Sequence, residues 1–184
     1  MPDVLRRASI AEALARATER LACAGLPHAR RDATGLWAAI AGVKPGDVWL
    51  ARGLEPDAAV ADRFWAAVER RAAGVPFAYA VGRVGFRSLD LAIDRRALIP
   101  RPETEGLVDL VLGRAAGGLA ADVGTGSGCL ALALAMEGNF ARVVAVERSA
   151  AAAALARENL ARLRPALRAP VEIREGDLLA PLTE

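Results

Sequence analysis

"LAADVGTGSGCLALALA", residues 119–135, sets a short apolar run before a turn holding three glycines and a longer apolar run after it. The first run, 119–124, has the length of a buried strand, and 127–138, rich in leucine and alanine, has that of a buried helix. The alternation continues downstream. "ARVVAVE" (141–147) reads as a strand, "SAAAAALARENLARL" (149–163) as a helix and "VEIREGD" (171–177) as a strand. Strand, helix, strand, helix, strand is the first half of a doubly wound parallel sheet with right-handed crossovers.

Upstream the period changes twice. Residues 76–98 place Phe77, Tyr79, Val84 and Phe86, then Leu89, Leu91 and Ile93, in alternation, which predicts a strand pair turning near Arg87 and Ser88. Residues 1–75 read as helices. Ser9 with Glu12 is a capping-box pair opening a stripe of Ile10, Ala13, Leu14, Ala17 and Leu21 that Gly25 ends. Pro27 is expected to open a second helix closed by Gly42, and Pro56 a third running to Gly74. Trp37, Trp49, Phe64 and Trp65 are expected in the core of that bundle. His28 reads as a surface or capping residue. The predicted organisation is a helical domain over 1–75, a hairpin connector over 76–98 and a partial α/β domain over 99–184.

Composition bounds the chemistry. The chain has 184 residues, 54% hydrophobic and 25% charged, which is the balance of a globular protein. A formal charge of +2, with Lys44 the only lysine, argues against a nucleic-acid or membrane surface. Cys23 and Cys129 lie far apart without metal-ligand spacing, so buried free thiols and a reducing cytoplasm are expected. The arginine-rich start carries Glu12 and Glu19 and no apolar core, unlike a targeting peptide. The longest apolar run, "CLALALAM", is too short to span a bilayer.

The glycines fall at 124, 126 and 128, where a nucleoside ligand can approach backbone unobstructed by a Cβ. A dinucleotide fingerprint wants its third glycine at 129, which is Cys129. The observed spacing instead resembles the S-adenosylmethionine loop of class I methyltransferases. Glu147 ends the second strand, where a carboxylate can accept both hydroxyls of a ribose. Nicotinamide and adenosylmethionine enzymes both use such a residue, so Glu147 alone does not choose between them. Asp177 and Leu178 close the third strand, at an adenine edge or as an ordinary loop.

"PRPETE", 100–105, reads by itself as a good helix start, with Pro102 in the first turn and Glu103 and Glu105 at the positive end. Joined to the glycine loop it says more. "LIPRPETEGLVDLVL" followed by "ADVGTGSGCLALALA" resembles the HemK/PrmC family, and the similarity extends through "GVPFAYAVGRVGFRSLDLAIDRRALIPRPETE" and the helical N-terminal region. The resemblance implies methylation of the N5 amide of the glutamine in the Gly-Gly-Gln motif of peptide-chain release factors, with S-adenosyl-L-methionine as donor and the N-terminal domain recognising the release factor. It makes Gly124, Thr125, Gly126, Ser127 and Gly128 the cofactor loop. Glu147 becomes the ribose-binding acid, where the family commonly has aspartate, and Asp177 with Leu178 the adenine edge. Arg101, Glu103 and Thr104 fall in the segment lining the cofactor cleft, with no individual role.

The family's acceptor motif, Asn-Pro-Pro-Tyr after the fourth strand, is absent: the asparagines are Asn139 and Asn159, and there is no Pro-Pro pair. No catalytic residue is therefore assigned. The chain is expected to be an N-terminal fragment, inactive alone, whose "LAADVG" strand has an edge needing a covering segment, a partner or another copy of itself. Two rival readings remain: a non-catalytic module binding release factor and cofactor, and an amino-methyltransferase acting on nucleic-acid bases, which the near-neutral charge disfavours.

Overall fold

The computed structural model describes residues 8–183 and divides into two units between Val81 and Gly82. Residues 1–7, where the predicted helical domain begins, lie outside the described residues.

The first unit is helical. α1 (Ile10–Cys23) opens with the predicted capping box: the Glu12 N–H donates to Ser9 Oγ at 3.3 Å, and the Ser9 N–H donates to Glu12 Oε2 at 2.9 Å. Its Ile10, Ala13, Ala17 and Leu21 are buried. α2 (Ala29–Ala41) ends at Gly42 in the left-handed conformation. Pro27 stands outside it, and exposed His28 occupies the N-cap position without a side-chain cap bond. A one-turn α3 (Val48–Ala51) precedes α4 (Ala58–Ala72). It is Asp57, not Pro56, that opens α4, because its Oδ1 accepts the N–H groups of Ala59 and Val60.

Trp37 and Phe64 are buried edge-to-face with centroids 4.9 Å apart, and Trp65 is half-buried against Phe64. Trp49 departs from the expected core position and is 61% exposed. On α3 only Val48 is buried, and the Arg52 guanidinium covers the outward ring of Trp49 at 3.4 Å. Cys23 is exposed and only Cys129 buried, so the expectation of two buried thiols is half corrected.

Residues 77–81 are not strand. They form α5 (Phe77–Val81), in which the Ala80 N–H bonds the Pro76 carbonyl at 2.9 Å. Arg70 closes its far end, donating through Nε and Nη2 to the Ala80 carbonyl. Five residues cannot display a 3.6 period, which is why their alternation reads as extended chain.

The second unit begins with the hairpin β1 (Arg83–Phe86) and β2 (Leu89–Ala92), paired antiparallel about Arg87 and Ser88. Phe86, Leu89 and Leu91 are buried in one core with Leu132, Leu134 and Val143, so the hairpin is part of this unit's core. Arg87 has φ 51, a left-handed conformation that costs a side chain about 1–2 kcal/mol. Its contacts over-determine that conformation. Nε and Nη2 bind Glu137, Nη1 binds Asp109 at 2.9 Å and the Glu105 carbonyl at 3.2 Å, and the Arg87 N–H donates to Glu105 Oε1 at 2.9 Å.

α6 (Pro102–Leu112) starts at Pro102 as predicted and stops at Gly113, whose N–H bonds the Asp109 carbonyl, before reaching Gly117 and Gly118. The sheet is parallel, with order β3 (Gly118–Val123), β4 (Phe140–Glu147), β5 (Val171–Glu175). α7 (Cys129–Glu137) and α8 (Ala150–Leu163) are the crossovers, giving the α/β alternation predicted from the sequence. β4 lies in the middle, and its Val143, Val144, Ala145 and Val146 are all buried, as a strand covered on both faces requires. β3 lies at one edge of this sheet, with Leu119 69% exposed, and Leu107 and Leu110 on α6 are also exposed. No helix among the described residues is long and apolar enough to cross a membrane.

Candidate functional site

The carboxyl ends of β3, β4 and β5 lie side by side: Val123 pairs with Val146, and Glu147 pairs with Glu175. At that edge the chain leaves β3 through a turn that glycine makes without strain at three positions, with φ of 81° at Gly124, 58° at Gly126 and 85° at Gly128. The Gly124 and Thr125 N–H groups both donate to the Val146 carbonyl, and the Gly128 N–H donates to the Thr125 carbonyl at 2.9 Å. A Cβ built on Gly124 would meet no atom within 4 Å, so that side of the loop is open. On Gly126 it would lie 3.9 Å from Ala97 Cβ, in the segment leading to Arg101.

Glu147, at the end of β4, turns its carboxylate onto this loop. Oε2 accepts the Gly126 N–H at 2.9 Å and Oε1 accepts the Ser149 N–H at 2.9 Å. Gly176, just past β5, donates its N–H to the Glu147 carbonyl at 3.1 Å, which brings the following residues to the same place. Asp177 and Leu178 therefore stand beyond the strand, because β5 ends at Glu175. Leu178 has φ 48 and is 68% exposed, an apolar side chain held outward in a strained conformation.

The side chains of Thr125 and Ser127 are buried, so these residues face the open side only through backbone. Thr125 Oγ1 donates to Asp122 Oδ2 at 2.6 Å. Arg101 is the N-cap of α6, Glu103 lies in its exposed first turn, and the Thr104 N–H bonds the Arg101 carbonyl. Among the described residues no hydrogen bond or ion pair joins these three side chains to the loop. A separate open cavity of about 860 Å³ lies in the helical unit between His28, Arg31, Asp32, Pro45 and Phe77, and its one carboxylate, Asp32, is paired with Arg71 at 2.8 Å.

Two residues at the site were not singled out from the sequence. Asp122 is a buried carboxylate at the end of β3 whose Oδ2 accepts both Thr125 Oγ1 and the Ala131 N–H, so it holds the loop to the first turn of α7. The available signal was one acid inside an otherwise apolar strand. Asn159, on α8, is fully buried and reaches the carbonyl of Ser127. An asparagine following Arg157 and Glu158 on a helix is a weaker signal, since helices tolerate asparagine on any face.

Burial raises the Asp122 carboxyl above its ordinary range, its bonds to Thr125 and Ala131 oppose this, and the charge of Glu147 adds to the rise. A folded value above the unfolded one means that its contribution to stability is full below about pH 4 and declines as pH rises through the folded value. Asp122→Asn keeps an acceptor for both bonds, since one oxygen takes both, and removes the desolvated charge. The variant's melting temperature should exceed wild type by about 2–4 °C at pH 7, the shift that ~1 kcal/mol gives at this chain length, and the gap should close toward pH 4. A pH-independent gap would contradict the assignment.

Residues 12–82 match the PrmC N-terminal domain and residues 104–184 the methyltransferase small domain. The chain is 41% identical over 179 residues to a protein named release factor glutamine methyltransferase from Moorella thermoacetica, covering 95% of this chain and 62% of that one. It is 39% identical over 171 residues to its namesake from Streptomyces coelicolor, covering 90% and 57%. The namesake from Deinococcus radiodurans is 41% identical over 175 residues, covering 92% and 61%. The chain thus spans about three fifths of the length of these curated relatives. Both domain matches fall in order along one chain and about 40% identity runs across nearly all of it, so over both regions this chain is similar to the release factor glutamine methyltransferases.

Proposed function

We propose that this protein is an S-adenosylmethionine-dependent methyltransferase acting on the side-chain amide of a glutamine in peptide-chain release factors, and that Gly124–Gly128, Glu147, Asp177 and Leu178 form its cofactor site. The observation carrying the cofactor assignment is the bond from the Gly126 N–H to Glu147 Oε2. A phosphate-binding loop keeps its N–H groups free for the anion. Here an anionic side chain holds one of them, and a second carboxylate, Asp122, lies behind the loop. Two carboxylates suit a cationic ligand with ribose hydroxyls and disfavour a nucleotide phosphate.

Bound there, adenosylmethionine supplies an electrophilic methyl group on a sulfonium. The chain's residues bind and orient it. The open face of Gly124 admits the ligand close to backbone, Glu147 accepts hydrogen bonds from the ribose hydroxyls, and Leu178 gives an apolar edge to the adenine. The release factor as substrate rests on the names of the relatives, and recognition by the helical unit on its match to the PrmC N-terminal domain.

Incubation with methyl-labelled cofactor and a release factor, followed by peptide mapping, tests the whole reading. Residues 1–184 lack the Asn-Pro-Pro-Tyr motif and by themselves are expected to take up cofactor without transfer, as a binding module would; label on the glutamine of Gly-Gly-Gln would instead place the chemistry in this chain, and transfer to nucleic acid would replace the substrate. Leu178→Gly gives a sharper local test. Relief of the left-handed strain, about 1–2 kcal/mol, should raise the melting temperature, while loss of the adenine contact should weaken cofactor binding several-fold. A variant both more stable and equally avid would remove Leu178 from the site.

A further inference from the structure

We propose that Asn159 is a positioning residue that sets the glycine loop against the segment 92–97 and so preforms the cofactor cleft. The inference rests on the reading of that cleft as the adenosylmethionine site. Asn159 lies on α8 at 0% exposure, and its side-chain amide makes three hydrogen bonds to two distant stretches of chain. Oδ1 accepts the Ala92 N–H at 2.7 Å, and Nδ2 donates to the Ala92 carbonyl at 3.0 Å and to the Ser127 carbonyl at 3.0 Å. The partners fix which end is which: an N–H requires the oxygen, and two carbonyls require the NH2.

The bond to Ser127 acts on the loop. The carbonyl of Ser127 and the N–H of Gly128 belong to one peptide plane. That plane is held at one end by Asn159 and at the other by the Thr125 carbonyl. Glycines at 126 and 128 leave neighbouring torsions otherwise free to turn. Pinning this plane fixes the rotation of the loop and with it the direction of the Gly126 N–H that Glu147 holds.

The bonds to Ala92 act on the other wall. Ala92 is the last residue of β2, and the chain beyond it folds back on the same helix. Arg96 pairs through Nη1 and Nη2 with Glu158, the neighbour of Asn159, and also binds Asp94. One residue further, Ala97 Cβ lies 3.9 Å from the position of a Cβ on Gly126. Both walls are thus referred to one turn of α8, and the gap between them depends on Asn159.

A merely structural asparagine would cost stability and leave the folded protein's affinity unchanged. The test therefore pairs Asn159→Ser with Leu160→Ala, a buried neighbour on the same helix whose loss destabilises without touching the loop. Serine leaves room for a water to bridge the freed groups and so preserves the fold. Adenosylmethionine titration well below both melting temperatures should show about 10-fold weaker binding for Asn159→Ser and near wild-type affinity for Leu160→Ala. Amide hydrogen exchange without ligand should show faster exchange at 124–128 in the serine variant alone. Equal affinity and equal loop exchange in the two variants would overturn the inference. If wild type itself takes up no adenosylmethionine, the proposed function fails, and the exchange comparison alone still decides whether Asn159 holds the loop.

Discussion

Glu147→Ala is expected to weaken adenosylmethionine binding about 100-fold or more, measured by calorimetric titration. The estimate counts two hydrogen bonds from ribose hydroxyls to a charged acceptor, each worth roughly 1.5–3 kcal/mol, and each 1.4 kcal/mol is tenfold in affinity. The substitution also deprives the Gly126 and Ser149 N–H groups of their acceptor, which loosens the loop before any ligand arrives. Glu147→Gln separates these contributions. It retains one oxygen for the Gly126 N–H but presents an NH2 where the second acceptor stood, so an intermediate loss of about 10-fold is expected. Glu147→Asp keeps the charge on a shorter arm and should fall closest to wild type. Wild-type affinity in the alanine variant would remove Glu147 from the site and leave the glycine loop without a sugar-binding partner.

The parts of this fold legible in the sequence are those where one residue pattern has one physical solution. Val143–Val146 is apolar on both faces because β4 is covered on both, and an uninterrupted apolar strand between two helical patterns has few other places to go. The glycine loop was legible because left-handed backbone at three alternate positions favours glycine at each of them. Glu147 follows from the same topology, since the end of the neighbouring parallel strand falls beside that loop.

What was not legible is what depends on distance in space. The sequence shows asparagine at 159, but not that its amide meets Ala92, 67 positions away, or that Arg87 would gather Glu105, Asp109 and Glu137 around a hairpin turn. Short elements fail for a different reason. α3 and α5 have too few residues to display a period, and α5 is held by Arg70 from outside itself. Trp49 shows the limit of reading size as burial: a large ring on a single turn can lie under an arginine as well as in a core.

Gly128→Ala should be the most damaging single-methyl substitution in the loop, lowering the melting temperature by about 5–15 °C. At φ 85 an alanine costs about 1–2 kcal/mol in backbone strain. Its Cβ would also lie 3.2 Å from Leu132 Cδ1 and 3.4 Å from Ala156 Cβ, and overpacking of this kind typically adds 1–3 kcal/mol. At this chain length each kcal/mol moves the midpoint by roughly 2–4 °C. Gly124→Ala is the informative counterpart. Its φ of 81° imposes the same strain, but its Cβ meets nothing within 4 Å, so only a few degrees of melting temperature should be lost. The space it enters is where the ligand is proposed to approach the backbone, and affinity for adenosylmethionine should fall at least 10-fold. The two methyl groups thus separate the supports of the loop from its binding face: at 128 the damage is to the fold, at 124 to the ligand. A Gly124→Ala variant that melts a few degrees early yet binds adenosylmethionine as tightly as wild type would place the ligand on another face of the loop.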